Sequence, residues 1–330
     1  MLLDPTITDA TFVEGRLPKD IDETIKSIQE ELGFARHPWR VISARTKLGR
    51  VLFEIEEATS SGRRRLIGKL GKSERALNLH RTLTALRNAG FKPPARFIVP
   101  APVACLPERG MILQEKVPGR SASDFLTDTS ERAALAATDC ARWLAALHQS
   151  GVPAAAVSRE HEGVSQWVDD LRQFVPNHTE QLDAIAKRIQ DTLASDMNGL
   201  VPTHGDFHPM NVLIDGTQRV CGIDMDKFAA REPETDIGWF LMQSAGFGFF
   251  KSGTFNATEI ARQTFIETYQ AETGHTIRGD RAGLYMAMAF LKNLHFELVL
   301  LKTGRIEYTK PWLAGAAAFL KGDLYLSENP

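Results

Sequence analysis

From Ile21 through Ile25 and Ile28 to Leu32, apolar residues recur every third or fourth position. That spacing predicts a helix over 17–32, with Asp20 as its N-cap and Gly33 as its stop. After Trp39 the texture changes. Segments 40–45, 50–58 and 63–70 read as strands, separated at 47–49 and 59–62 by residues of loop composition. A second helix is predicted over 73–89, capped by Ser73, ended by Gly90, with Leu77, His80, Leu83 and Leu86 on one face. Segments 97–106 and 110–117 are again strand-like. Pro100 and Pro102 cannot donate to a ladder, so the first of these is expected at a sheet edge.

Beyond Val117-Pro118-Gly119 the pattern turns helical. Segments 130–150 and 165–198 are amphipathic, and 258 onward is mainly helical with an irregular stretch near 303–311. A short strand pair over 211–223 interrupts them. The expectation is an α+β chain of two lobes. An N-lobe, 1–116, would hold an antiparallel sheet, one long helix and an extra N-terminal helix. A mainly helical C-lobe, 117–330, would carry a short hairpin, and a hinge near 114–119 would leave a small-ligand cleft at the junction.

Composition narrows the classes. The chain has 330 residues, 43% apolar and 24% charged, with a formal net charge of −2. Such a chain builds ordinary hydrophobic cores and offers no global field for nucleic acid or an anionic membrane. Its three cysteines, Cys105, Cys140 and Cys221, form no CxxC or Cys/His cluster, which argues against a disulfide framework or a zinc site. The first residues show no basic stretch followed by an apolar one, and the longest apolar run, 239–250, is too short to span a bilayer. A cytoplasmic protein is expected, with no membrane or nucleic-acid partner, as a monomer or homodimer.

The chemistry concentrates in 203–215, THGDFHPMNVLID, followed by 220–224, VCGID. A hairpin closing symmetrically about Thr217 and Gln218 would set Asn211 opposite Asp224, an amide oxygen beside a carboxylate at one end of the ladder. Two hard oxygen donors without His or Cys suit Mg²⁺ completed by phosphate oxygens and water. Asp206 lies five residues before Asn211, on the loop entering the hairpin, where a carboxylate can take a hydroxyl proton. H-G-D-x-x-x-x-N arises by chance in roughly one chain of this length per thousand at ordinary residue frequencies.

These residues resemble the aminoglycoside phosphotransferase and choline kinase-like enzymes, which share the protein-kinase-like fold. The likeness is carried by HGDFHPMNVLID at 204–215, GIDMD at 222–226 and ETDIGWFL at 234–241. Weaker matches are Lys69, ILQEKVPGRS at 112–121 and CARWLAALHQSGV at 140–152. The resemblance implies an ATP-dependent transfer of the γ-phosphoryl group to a hydroxyl of a small molecule, with GTP an open alternative to ATP. It implies Asp206 as base, Asn211 and Asp224 as Mg²⁺ ligands, and His204 as a brace of the loop. His208 would contact the γ-phosphate or shape the loop, and Asp236 would be an N-cap and brace. Asp226 would be a supporting acid or a turn residue. Lys69 would bind the α- and β-phosphates, and the backbone of Glu115, Lys116 and Val117 would meet the adenine edge.

Two features depart from the family pattern. The phosphate-covering loop, read as 43–49, has only Gly49, so Arg45 or Lys47 would have to help by charge. The helix after Lys69 offers only Glu74, in its first turn, as a partner for that lysine. A non-catalytic nucleotide-binding module of the same fold is therefore the rival reading. A metal-dependent phosphoesterase would need separated His/Asp motifs that are not found. For the acceptor, 251–330 carries eight acids and nine bases, while 159–196 carries eight acids and four bases. The latter is read as a solvated helix face, and Trp239, Phe240, Phe247, Phe249 and Phe250 as core rather than a cage for a quaternary ammonium. A neutral or weakly charged sugar or amino sugar is the expected acceptor.

Overall fold

A computed structural model describes residues 19–32, 39–47, 50–60, 62–154, 163–193, 199–322 and 324. The chain divides into two compact units. Of the described residues, one takes those up to Gly119 together with Asp215–Asp226, the other Arg120–Ile214 and those from Lys227 onward.

In the first unit, α1 (Lys19–Glu31) precedes three antiparallel strands: β1 (Trp39–Lys47), β2 (Arg50–Thr59) and β3 (Gly62–Leu70). Helix α1 begins at Lys19, so Asp20 falls inside it rather than before it, and Gly33 lies outside the described residues. Next come α2 (Ser73–Asn88), β4 (Phe97–Ile98), β5 (Pro102–Leu106) and β6 (Met111–Glu115). The five-stranded sheet runs β1-β2-β3-β6-β5, with the proline-bearing β5 at its edge as the missing donors require. Its core joins Ile25 and Ile28 of α1 to Phe53, Ile55, Leu66, Met111 and Leu113. Gly68 is part of that packing: a Cβ there would lie 2.0 Å from the Phe53 ring, so only glycine lets the ring cover β3.

Two local expectations are corrected. Helix α2 buries Ala76, Leu79, Leu83 and Leu86, a face rotated from the one expected through Leu77 and His80, and Lys72 rather than Ser73 holds its N-cap position. Residues 43–47 are not a loop but the end of β1. Arg45 pairs with Leu52 and Lys47 with Arg50; residues 48 and 49 of the expected loop lie outside the described residues. Ser43, Ala44, Arg45 and Thr46 suit a strand, and pairing satisfies their backbone groups.

The second unit opens with β7 (Arg120–Ser121), which pairs antiparallel with β9 (Val212–Ile214). Between them lie α3 (Ser130–His148), α4 (Val164–Phe174), α5 (Thr179–Leu193) and β8 (Val201–Thr203). The chain re-enters the first unit with β10 (Val220–Gly222), parallel to β4. It then returns through β11 (Ala229–Arg231), antiparallel to β8. The remainder is α6 (Pro233–Ser252), α7 (Glu259–Thr273), α8 (Gly279–His295), extended by a π-helical turn at Phe296–Leu300, and α9 (Thr309–Phe319). Helix α6 is buried nearly all round because α7 and α8 both pack on it.

Phe207, Phe240 and Phe265 stack at the centre of this unit, so Phe240 is core, while the half-buried Phe249 packs on Phe255 and Trp312. A buried charge network fixes the start of α6. The Glu232 carboxylate, fully buried, accepts from Arg278 Nη2 at 2.5 Å, Arg281 Nε at 3.1 Å and the Tyr285 hydroxyl at 2.8 Å. No helix of the described residues is long and apolar enough to cross a membrane.

Candidate active site

In the second unit the residues of the 203–211 loop are held from three sides. Antiparallel pairing sets Thr203 opposite Ala229. The Thr203 hydroxyl donates to the Ala229 carbonyl at 2.7 Å and accepts from Arg231 Nη1 at 3.0 Å. Behind the loop, the buried Asp236 carboxylate takes the backbone N–H groups of His204 and Gly205, at 2.7 and 2.8 Å. It also lies 3.1 Å from His148 Nε2, whose other ring nitrogen is 2.7 Å from the Tyr269 hydroxyl. Asp236 stands in the first turn of α6; the N-cap position belongs to Glu232, so its part is the brace alone. Burial opposes its ionisation, but the bonds from His148 and His204 outweigh that and hold it below the usual carboxylate range.

His204 is buried and braces the same loop. Its Nδ1 accepts from the Asp206 N–H at 3.3 Å while its ring packs edge-on against Trp143 and Phe207. Gly205 adopts φ +78°, and a Cβ there would meet the Lys227 carbonyl oxygen at 2.4 Å. Only glycine serves both demands.

This frame presents Asp206. Its Oδ1 is 3.1 Å from Lys227 Nζ. Burial pushes its carboxyl up, yet Lys227, with Lys292 acting in the same sense, leaves it below the usual range. Sequence reasoning missed Lys227, the residue just after the GIDMD segment. Asn211 ends a 3-10 turn, Pro209–Asn211, rather than opening the strand, and its Nδ2 donates to the Asp206 carbonyl at 3.0 Å. That bond fixes the amide orientation and leaves Oδ1 as an oxygen donor. His208 is 5% exposed, and burial drives its pKa well down, so the ring is neutral. The strongest positive charge acting on Asp206 is that of Lys227.

The first unit holds the other candidates. Lys69 on β3 lies 2.5 Å from Asp224 Oδ1 and 2.6 Å from Asp226 Oδ2. Arg75 of α2 reaches Asp226 Oδ1 at 2.7 Å. Burial works against the lysine's charge, but the two carboxylates raise its pKa. Burial and the adjacent Asp226 push Asp224 up, while Lys69 and Arg75, acting against burial, hold Asp226 low. The exposed Glu74 is not among these partners of Lys69. Asp226, read from the sequence as a supporting acid or a turn residue, is the acid that links Lys69 to α2. Asp224 itself adopts φ +65° just beyond β10. At the end of β6 the N–H groups of Glu115 and Lys116 bond to the carbonyls of Ala101 and Arg65. Among the described residues the Val117 N–H has no protein acceptor.

No group of three or more His, Cys, Asp or Glu side chains suited to a metal occurs among the described residues. Asn211 and Asp224 each carry a hard oxygen of the kind that Mg²⁺ takes.

An antiparallel sheet with one helix, followed by a helical unit with a braced Asp-bearing loop, is the protein-kinase-like α+β arrangement. The chain belongs to the phosphotransferase enzyme family, whose model matches residues 57–280. Membership of that family makes it a phosphotransferase. Among solved structures it is similar to the choline kinase LicA from Streptococcus pneumoniae, with a TM-score of 0.62 at 14% identity, covering 91% of this chain and 99% of that one. It is also similar to an aminoglycoside-3'-phosphotransferase of type VIII (TM-score 0.59, 17% identity, 84% of this chain and 100% of that one). A third likeness is to a choline/ethanolamine kinase family protein from Mesorhizobium loti (TM-score 0.56, 15% identity, 93% and 95%). No curated protein matches.

Gly205→Ala is expected to cost about 1–3 kcal/mol of stability through its left-handed backbone. The forced shift of the Lys227 carbonyl should lower turnover about a hundredfold besides. Thermal melting and ADP release measure the two, and full turnover in a folded variant would show that the loop tolerates the extra carbon.

Proposed function

We propose that this chain moves the γ-phosphoryl group of ATP onto a hydroxyl of a small molecule with Asp206 as the general base. The observation that carries this is the bracing of Asp206: Asp236, His204 and Asn211 fix its backbone, and Lys227 keeps its carboxylate ionised. A carboxylate so held accepts the acceptor's proton as the O–Pγ bond forms and the bond from Pγ to the ADP oxygen breaks. The proton then passes to solvent. Lys69 neutralises nucleotide phosphate charge, and its two carboxylate partners set its direction. The Val117 N–H meets the adenine edge. Asn211 and Asp224 would hold Mg²⁺, which when bound neutralises charge on the phosphates. His208, being neutral, supplies a polar contact and the shape of the loop.

The rival, a nucleotide-binding module without catalysis, was motivated by the poor glycine loop and the missing helix glutamate. Asp226 answers the second point, since Lys69 has two carboxylate partners without that glutamate. The test is Mg²⁺-dependent ADP formation across sugars, amino sugars, amino alcohols and aminoglycosides. Asp224→Ala should weaken Mg·ATP binding at least tenfold, read by calorimetric titration with and without Mg²⁺. An unaltered Mg²⁺ dependence refutes the metal assignment.

A further inference from the structure

Helix α6 turns one face toward the Asp206 loop. On that face Asp236 takes the N–H groups of His204 and Gly205, and Phe240 stacks on Phe207 with 5.7 Å between ring centroids. The Trp239 ring lies 5.9 Å from Lys227 Nζ, itself 3.1 Å from Asp206 Oδ1. At 3.6 residues per turn, Gln243 projects about 40° from Trp239 and about 60° from Phe240, on the arc between them and one turn further along. It also stands about two turns after Asp236, in line with it. Helical side chains lean back toward the N-terminus, so the Gln243 amide lies over the turn that holds Trp239 and Phe240.

That amide is short of partners. Gln243 is 2% exposed, and among the described residues neither its Oε1 nor its Nε2 has a hydrogen-bond partner. The loop itself holds a second such group, Nδ1 of His208, which is 5% exposed. Buried donors and acceptors left without bonds are costly and rare, so these positions call for something that completes them. One turn on from Gln243, at Gly246, α6 has no side chain to answer the amide or to cover it.

We propose that Gln243 is a specificity-determining residue that binds a second hydroxyl of the acceptor, which is therefore an uncharged sugar or polyol. A hydroxyl both accepts from Nε2 and donates to Oε1. An ammonium group only donates, and a carboxylate or phosphate dianion only accepts, so each would leave one end of the amide unpaired. The inference rests on Asp206 as base and narrows the sugar or amino sugar expected from the sequence to the uncharged one.

The test uses the full chain with Mg·ATP and two matched sets of acceptors: glucose with its 2-, 3- and 6-deoxy analogues, glucosamine and glucose 6-phosphate; ribose with 2-deoxyribose and ribose 5-phosphate. ADP release is measured above the acceptor-free rate. One uncharged parent should exceed its charged counterparts at least about tenfold in kcat/KM. One of its deoxy analogues should still react but fall at least about a hundredfold below it, because the missing hydroxyl leaves the buried amide unpaired. Gln243→Leu should bring that analogue to within about threefold of the parent, a change in ratio that a merely structural role would not produce. Gln243→Met offers a second apolar side chain of similar length should the leucine variant not fold. Gln243→Glu, which loses the donor, should shift the preference toward glucosamine. No turnover of any uncharged member, a charged counterpart as good as its parent, no loss with any deoxy analogue, or a parent-to-deoxy ratio unchanged in the apolar variants overturns the proposal; the last is the result expected if water alone completes the amide. Any of these with turnover that Asp206→Asn abolishes would sink this inference alone; turnover that survives Asp206→Asn would sink the base assignment.

Discussion

Asp206→Asn is expected to lower kcat about a thousandfold while leaving ATP affinity within about twofold. The amide keeps the size of the carboxylate but cannot accept the acceptor's proton, and removing a positioned base typically costs 10²–10⁴ in rate. The nucleotide should hardly notice, because its proposed phosphate contact, Lys69, takes its orientation from Asp224 and Asp226 rather than from Asp206. Single-turnover kinetics beside nucleotide titration separates the two quantities. In the wild type, the depressed pKa of Asp206 places the acid limb of the pH–rate profile below ordinary carboxylate titration, because a base held ionised by Lys227 protonates late. Wild-type rates in the Asn variant would remove Asp206 from the chemistry.

Glu232→Ala is expected to be the most destabilising of the substitutions considered, about 3–5 kcal/mol, and to lower Tm by about 10 °C. Glu232 is fully buried, and truncation removes a carboxylate partner of Arg281, which is 1% exposed. Arg281 keeps its bond to the Thr192 carbonyl, at 2.8 Å. Tyr285 loses the acceptor of its hydroxyl. A loss below about 1 kcal/mol in thermal or urea unfolding would mean that water or Glu234 replaces the carboxylate.

The candidate site could be proposed from the sequence because its signals are close along the chain. Asp206, Asn211 and Asp224 lie within a few strands and turns of one another along the chain, so residue type and spacing suggest their chemistry without knowledge of the fold. Lys227 was not legible. It reaches Asp206 because β8 and β11 pair, setting Thr203 against Ala229, and nothing near Lys227 in the sequence announces that pairing. Asp226 was undervalued for a similar reason, since Arg75 and Lys69 are about 150 residues away. On α2 the periodicity gave the helix but not its orientation. Two faces share Leu83 and Leu86, and the choice between them depends on what packs against the helix. Segment 43–47 was misread because a cationic, polar stretch looks like a loop until a partner strand is seen to pair with it. Of the acids on α4 and α5, Asp169 and Asp183 pair with Arg172 and Asp170 with His295.

The interleaving of the two units has a consequence for dissection. Lys69 belongs to a unit whose polypeptide is not continuous, since that unit is completed by Asp215–Asp226, arriving from nearly a hundred residues downstream. A fragment cut after Gly119 would contain the lysine and Arg75 but neither carboxylate that orients them. The shortest contiguous piece of chain that keeps this charge cluster intact therefore already includes the Asp206 loop.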